Sequence, residues 1–160
     1  MDKMGEVEVK NIKKEERLRS LIKLLLTSGR RLKTEIVKLC FLIDYDVAHK
    51  RQDLPEGFTT VIYLKYYYGP YSRAFDSVLG DMAGKEITLT TVVNGTTNFY
   101  YELKVDEPAE KILEDEAVRK IVFNILEQNK DKSLVELKRM VYDLDCVKKT
   151  PFGEEIKLLS

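Results

Sequence analysis

A helix that is apolar on nearly every side must be surrounded by the rest of its domain, and residues 34–50 read as such a helix. Thr34 opens it, and Ile36, Val37, Leu39, Cys40, Phe41, Leu42, Ile43 and Val47 spread around most of its circumference. Amphipathic surface helices carry a single apolar stripe, so this pattern predicts a buried central helix. Asp44 falls near its middle. A buried carboxylate is costly unless it is paired or hydrogen-bonded. Asp44 is therefore expected to be a structural polar anchor, with Lys38, Arg73 or the backbone N–H groups of the Gly69-Pro70 turn as partners. His49, at the end of this helix, reads as a surface or cap residue.

The remaining elements supply layers around that helix. Leu18, Leu21, Ile22 and Leu25 have helical spacing, and Ser28-Gly29 ends their helix. Residues 59–68, TTVIYLKYYY, are β-branched and aromatic and predict a strand, stopped by Gly69-Pro70. Ser72 caps a helix with the stripe Phe75, Val78, Leu79 and Met82, closed by Gly84. A hairpin follows, 86–93 and 98–104, around Asn94-Gly95, with Thr96-Thr97 extending the loop. Pro108 opens a long helix through Leu126. Ser133 to Glu136 reads as a capping box. The helix it opens carries Leu134, Leu137, Val141 and Leu144 at the spacing of a packed seam, which would suit a dimerisation module. Gly153–Leu159 is expected to form a last short helix. The sum is a mainly helical α+β domain over residues 15–160, with a short strand and a small β-hairpin, preceded by a flexible basic arm at 1–14. The helix 72–84 leading into a two-stranded wing makes the fold partly winged-helix-like.

Composition excludes several functions. The 160 residues hold 27 basic and 27 acidic side chains, so no strongly cationic nucleic-acid binder is announced. The balance hides an asymmetry. Residues 1–33 carry ten Lys/Arg against five Asp/Glu, and residues 105–116 carry six acids against one Lys. The acidic run suits a helix N-terminus. Two cysteines, Cys40 and Cys146, make no disulfide framework and read as small core residues. A single histidine leaves no His-rich metal site and makes any Ser-His-Asp triad depend on His49. There is no Walker loop, H-E-x-x-H or C-x-x-C motif. No cofactor, metal or catalytic residue is expected. The charged start, MDKMGEVEVK, has no apolar signal region, and apolar runs are short. These features predict a cytoplasmic protein without a membrane segment.

The unusual feature is the set Tyr63, Tyr66, Tyr67, Tyr68 and Tyr71. On a regular strand, Tyr63, Lys65 and Tyr67 share one face, and Leu64, Tyr66 and Tyr68 the other. One face belongs to the core, and the other displays amphipathic rings of the kind enriched where proteins meet. Tyr66, Tyr67, Tyr68, Gly69, Pro70, Tyr71 and Arg73 are thus the candidate partner-binding residues. The alternative is DNA binding by the winged-helix-like unit, with Arg30, Arg31, Ser72, Arg73 and Lys85 as candidates. Asp76 and Asp81 on the same helix oppose phosphate contact.

The segment 34–89 also resembles a known family. Lys38 followed by LCFLID at 39–44, the turn Tyr68-Gly69-Pro70, the helix Ser72–Met82, and Gly84, Glu86 and Ile87 entering a hairpin follow the order of motifs in the Panacea domain family of SocA-like antitoxins. Cys40 and Phe41 stand where that family usually has Leu and Tyr, and its C-terminal His–Pro–Trp-like element is absent. The resemblance implies a non-enzymatic regulatory protein, an antitoxin that neutralises a cognate toxin by direct contact. A homodimer and, less favoured, nucleic acid are the other partners considered.

Overall fold

The structure, a computed structural model, describes the backbone of residues 3–160 and the side chains from Lys13 onward. Its element order is α1 (Lys3–Leu26), β1 (Arg31–Leu32), α2 (Lys33–Lys50), β2 (Leu64–Tyr66), β3 (Gly69–Tyr71), α3 (Arg73–Met82), β4 (Ile87–Asn94), β5 (Thr96–Leu103), α4 (Ala109–Ile112), α5 (Glu116–Asn129), α6 (Leu134–Tyr142) and α7 (Asp145–Lys148). This is a small α+β domain in which helix predominates. Two antiparallel sheets accompany the helices: β1-β5-β4, and the hairpin β2-β3. The expected flexible arm at 1–14 is only partly within the described residues, and from Lys3 its backbone is helical and continuous with α1.

Helix α2 is the centre. Its residues Ile36 to Asp44, with Val47 and Ala48, are buried, and α1, α5, α6, β1, β3 and β5 all pack on it. The cysteines are buried free thiols within this core. Caps follow the expected chemistry. Ser72 Oγ accepts from Ala74 N at 3.2 Å, and Ser133 Oγ accepts from Glu136 N at 3.2 Å. Asp115 caps α5 by accepting from Val118 N at 3.1 Å, and its carboxylate also accepts from Arg51 at 3.1 Å, tying α5 to the end of α2.

Five expectations are corrected. The strand expected over 59–68 is restricted to Leu64–Tyr66. Asp44 captures Thr59 by its backbone N–H (3.0 Å) and its hydroxyl (2.5 Å), and the next residue, Thr60, turns at φ 58°. A β-branched residue in that left-handed region costs about 1–3 kcal/mol, and the hydrogen bonds around Asp44 offset it. Gly69-Pro70 does not stop that strand, which ends at Tyr66, but begins β3, which folds back on β2 with Tyr66 opposite Gly69. In the β4-β5 hairpin, Thr96 and Thr97 pair with Asn94 and Val93, so the turn closes on Gly95 at φ 76° rather than on a longer loop. The long helix after Pro108 breaks at Leu113, where Arg119 donates to the carbonyls of Leu113 (2.7 Å) and Glu114 (2.8 Å).

The C-terminal segment, finally, is extended and not helical. Ile156 N donates to Tyr63 O at 2.8 Å, and Lys65 N to Glu154 O at 3.0 Å. Pro151 and Gly153 oppose a helix there, and the free edge of residues 63–65 offers backbone partners instead. The seam Leu134–Leu144 is also spent internally: Leu137 and Val141 are buried, and Leu134 and Leu144 are half-buried.

One glycine is held to its identity by Asp44. Gly57 lies at φ 87°, and a Cβ added there would stand 2.8 Å from Asp44 Cβ and 2.9 Å from Asp44 Oδ1. Gly57→Ala is expected to destabilise the domain by about 2 kcal/mol or more, from the left-handed backbone and the forced retreat of a buried carboxylate. Urea unfolding of the variant measures this. A change below about 0.5 kcal/mol would contradict the close approach.

Candidate functional site

The site is best built outward from Asp44. Its carboxylate is fully buried and accepts from Thr59 N, Thr59 Oγ1 and, at 2.7 Å, the hydroxyl of Tyr63. These are not the partners expected: Lys38, Arg73 and the Gly69-Pro70 turn make no hydrogen bond to it. The sequence points to a polar anchor but not to its partners, because Thr59 and Tyr63 come from a segment whose backbone departs from strand periodicity. Burial pushes the Asp44 carboxyl above its ordinary range, and the three donated hydrogen bonds pull it back in part. The same burial, beside Asp44, raises Tyr63 well above a usual phenol. Tyr63 packs edge-on against Phe41, centroids 5.0 Å apart, so the residue leading into β2 is fixed to α2 by both its ring and its hydroxyl.

From that fixed point the chain runs through β2 to a two-residue tip, Tyr67 and Tyr68. The two residues are 76% and 74% exposed. The backbone beneath them is clamped. Tyr142 of α6 donates its hydroxyl to the carbonyls of Tyr66 and Tyr67, the latter at 2.8 Å. Lys38 of α2, itself buried, donates to the Tyr68 carbonyl at 2.8 Å. Burial, with Lys138 near by, lowers the Lys38 pKa below that of an ordinary lysine. The Tyr142 hydroxyl, shared between Tyr66 and Tyr67, and the Lys38 ammonium at Tyr68 thus hold the two carbonyls of the tip and that of the last residue of β2, while the rings face outward.

Other aromatic groups extend the surface. The Phe152 ring lies 4.5 Å from that of Tyr67 and 5.9 Å from that of Tyr66 and is itself 54% exposed. Lys138 Nζ sits 5.3 Å above the Tyr68 ring. Phe152 and Lys138 are far from residue 67 in sequence and escape local reading. Their only signal is the apolar residue between Pro151 and Gly153.

Beside the tip, a groove of about 420 Å³ opens between α2, the β2-β3 hairpin and the start of α3. Tyr66, Tyr68, Gly69, Pro70, Tyr71 and Arg73 line it, together with Lys33, Thr34, Val37, Lys38 and Asp76. Six of the seven candidate partner-binding residues therefore share one groove, and Tyr67 stands at its tip. Gly69 and Pro70 are buried floor, not exposed surface. Asp76 is already engaged by Lys33 and the Tyr71 hydroxyl, and these contacts hold its carboxyl below the usual range. Among the described residues Arg73 makes no ion pair.

The candidates for nucleic acid do not converge. Arg31 is taken up by Leu25 O at 2.8 Å and by Glu35 at 3.1 Å, and Arg30 lies over the Tyr100 ring at 4.3 Å. Lys85 pairs with Asp81 at 3.3 Å at one end of α3, whereas Ser72 and Arg73 are at the other, about 15 Å away for a ten-residue helix. The β4-β5 hairpin, residues 87–103, contains no Lys or Arg. His49 Nδ1 lies 2.8 Å from Tyr45 O, and its ring stacks on Tyr45. No group of three or more His, Cys, Asp or Glu side chains among the described residues could hold a metal, and no described helix is long and apolar enough to cross a membrane. Comparison with family models, with curated proteins and with solved structures finds no match to this chain.

Two predictions follow from this geometry. Because its folded pKa is raised, Asp44 holds its proton more tightly in the folded than in the unfolded chain. Its contribution to stability is therefore greatest below the ordinary carboxylate value and is lost as pH rises through the raised one. The difference in unfolding free energy between the natural protein and Asp44→Asn should drift against the natural protein across that window, as read by urea titrations at stepped pH; a drift of the opposite sign would refute the raised value. Lys38→Met keeps the buried stem and deletes the donor. Amide exchange at Tyr66 to Gly69 should then speed by about tenfold, while exchange in α2 stays as it was.

Proposed function

We propose that this protein is a non-enzymatic regulator of the Panacea antitoxin type, acting in the cytoplasm away from membranes, and that it neutralises a cognate toxin by covering the toxin's working surface. The observation that carries the reading is the tip: two tyrosine rings about three-quarters exposed on backbone clamped by Tyr142 and Lys38. Exposed tyrosines bring large contact area with few rotatable bonds, and fixing their backbone in advance lowers the ordering cost of association. The groove with Arg73 at its rim gives those rings a neighbouring recess for a partner side chain. The resemblance over residues 34–89 supplies the class of partner.

The rival, a DNA-binding regulator, has few cations left to draw on. Phosphate contacts supply most of the affinity of such proteins. The wing carries no cation, and Arg19, Arg31 and Lys85 are paired with Asp81 and Glu86, with Glu35 and with Asp81.

Co-expression with the product of the neighbouring gene tests the proposal. That product should arrest growth alone and be harmless beside this protein. Tyr67→Ala and Tyr68→Ala should each weaken the purified complex by about tenfold or more, about 1.4 kcal/mol, while shifting stability by less than about 0.5 kcal/mol. A neighbour that is harmless by itself, or one neutralised equally well by the double variant, would overturn the reading.

A further inference from the structure

Strand β4 forms one edge of the three-stranded sheet, and among the described residues nothing pairs with its outer side beyond Ile87. From Thr88 the edge reads Thr-Leu-Thr-Thr-Val-Val-Asn. Natural edge strands are usually blunted by lysine, proline, a bulge or a covering element. This one has no charge and no proline, and its register with β5 is unbroken from Ile87 to Asn94. From Thr88 to Asn94 it is about 24 Å of largely β-branched, open edge.

The sheet is also incomplete on one face. Leu89, Val93, Phe99 and Tyr101 point to the same side as buried Ile87, because they alternate with it or stand opposite such residues in the register. Leu89, Val93 and Phe99 are 46%, 75% and 52% exposed. Strand β1 reaches only Tyr100 and Tyr101, so the outer half of the wing is a bare two-stranded ribbon. Such a ribbon is marginal in water without a further strand or a packed face.

We propose that the open edge of β4 pairs with β4 of a second copy of this chain, antiparallel and centred on Thr91, to give one continuous six-stranded sheet. The argument for this occupant is self-complementarity. In that register Thr91 faces Thr91 of the second copy, Leu89 faces its Val93, and Thr90 faces its Val92. Threonine pairs and apolar β pairs are favourable cross-strand neighbours, and no like charges oppose each other. A two-fold axis normal to the sheet puts both apolar faces on one side, where Val93 gains the Leu89 it lacks in the single chain. The interface belongs to a different hairpin from the tyrosine tip, so it stands apart from the antitoxin reading and leaves the tip open.

Light scattering on the 160-residue chain tests it. The natural protein should run at twice 18.6 kDa, and Thr91→Lys, which sets two ammonium groups opposite each other at an exposed position, should halve that mass with the helical circular dichroism retained. Thr91→Cys should cross-link into covalent dimers under mild oxidation, whereas Val135→Cys, exposed on α6, should not. A natural protein that is monomeric at every concentration up to its solubility limit would overturn the proposal. So would a Thr91→Lys dimer, or cross-linking at Val135 as efficient as at Thr91.

Discussion

A single buried carboxylate organises the half of the molecule that carries the candidate site. Asp44 lies in the middle of the helix around which everything else packs, and all its donors come from one short segment, Thr59 to Tyr63. Leaving such a group unpaired would cost several times what one hydrogen bond contributes, so the segment has little freedom to lie elsewhere. That constraint accounts for the tight approach at Gly57, the left-handed turn at Thr60 and the burial of Tyr63. The residues after Tyr63 then start from a fixed position.

The candidate surface follows from this origin. A hairpin tip is normally among the more mobile parts of a fold. Here the tip is bounded by Tyr63 on the Asp44 side, and the carbonyls of Tyr66, Tyr67 and Tyr68 are held by Tyr142 and Lys38. Lys38 and Asp44 sit on the same helix but serve different ends of the segment, one under the tip and the other under its root. The C-terminal tail adds a third support by pairing with residues 63–65 and placing Phe152 against Tyr67. Rigid backbone below and exposed phenol rings above are what an association surface needs if it is to bind without a large entropic penalty.

Much of the frame was legible in the sequence because it rests on local rules. The all-round apolar pattern located α2 as the centre, and the Ser72, Ser133 and Gly95 signals placed two helix starts and the turn of the β4-β5 hairpin. What was not legible depends on contacts distant along the chain. Period-two alternation predicted Tyr63 and Tyr67 on one face, yet Tyr63 is buried and Tyr67 exposed. The capture of Thr59 by Asp44 and the hairpin return at Gly69 cut the strand short at both ends. The tail was misread as helix because the need that shapes it, an open backbone edge at residues 63–65, exists only once the chain has folded. The groove brought together Tyr66, Tyr68, Gly69, Pro70, Tyr71 and Arg73, which local reading grouped by adjacency, with Lys33, Val37 and Asp76, which it did not.

The central claim is that Tyr67 and Tyr68 meet a protein partner ring-first. Tyrosine-directed nitration, read residue by residue by mass spectrometry in the free protein and in the complex with the neighbouring gene's product, tests it most directly. Both rings should react rapidly in the free protein and be shielded in the complex, with buried Tyr63 inert in either. Rings that remain equally reactive in the complex, or that resist nitration when the protein is alone, would contradict the account.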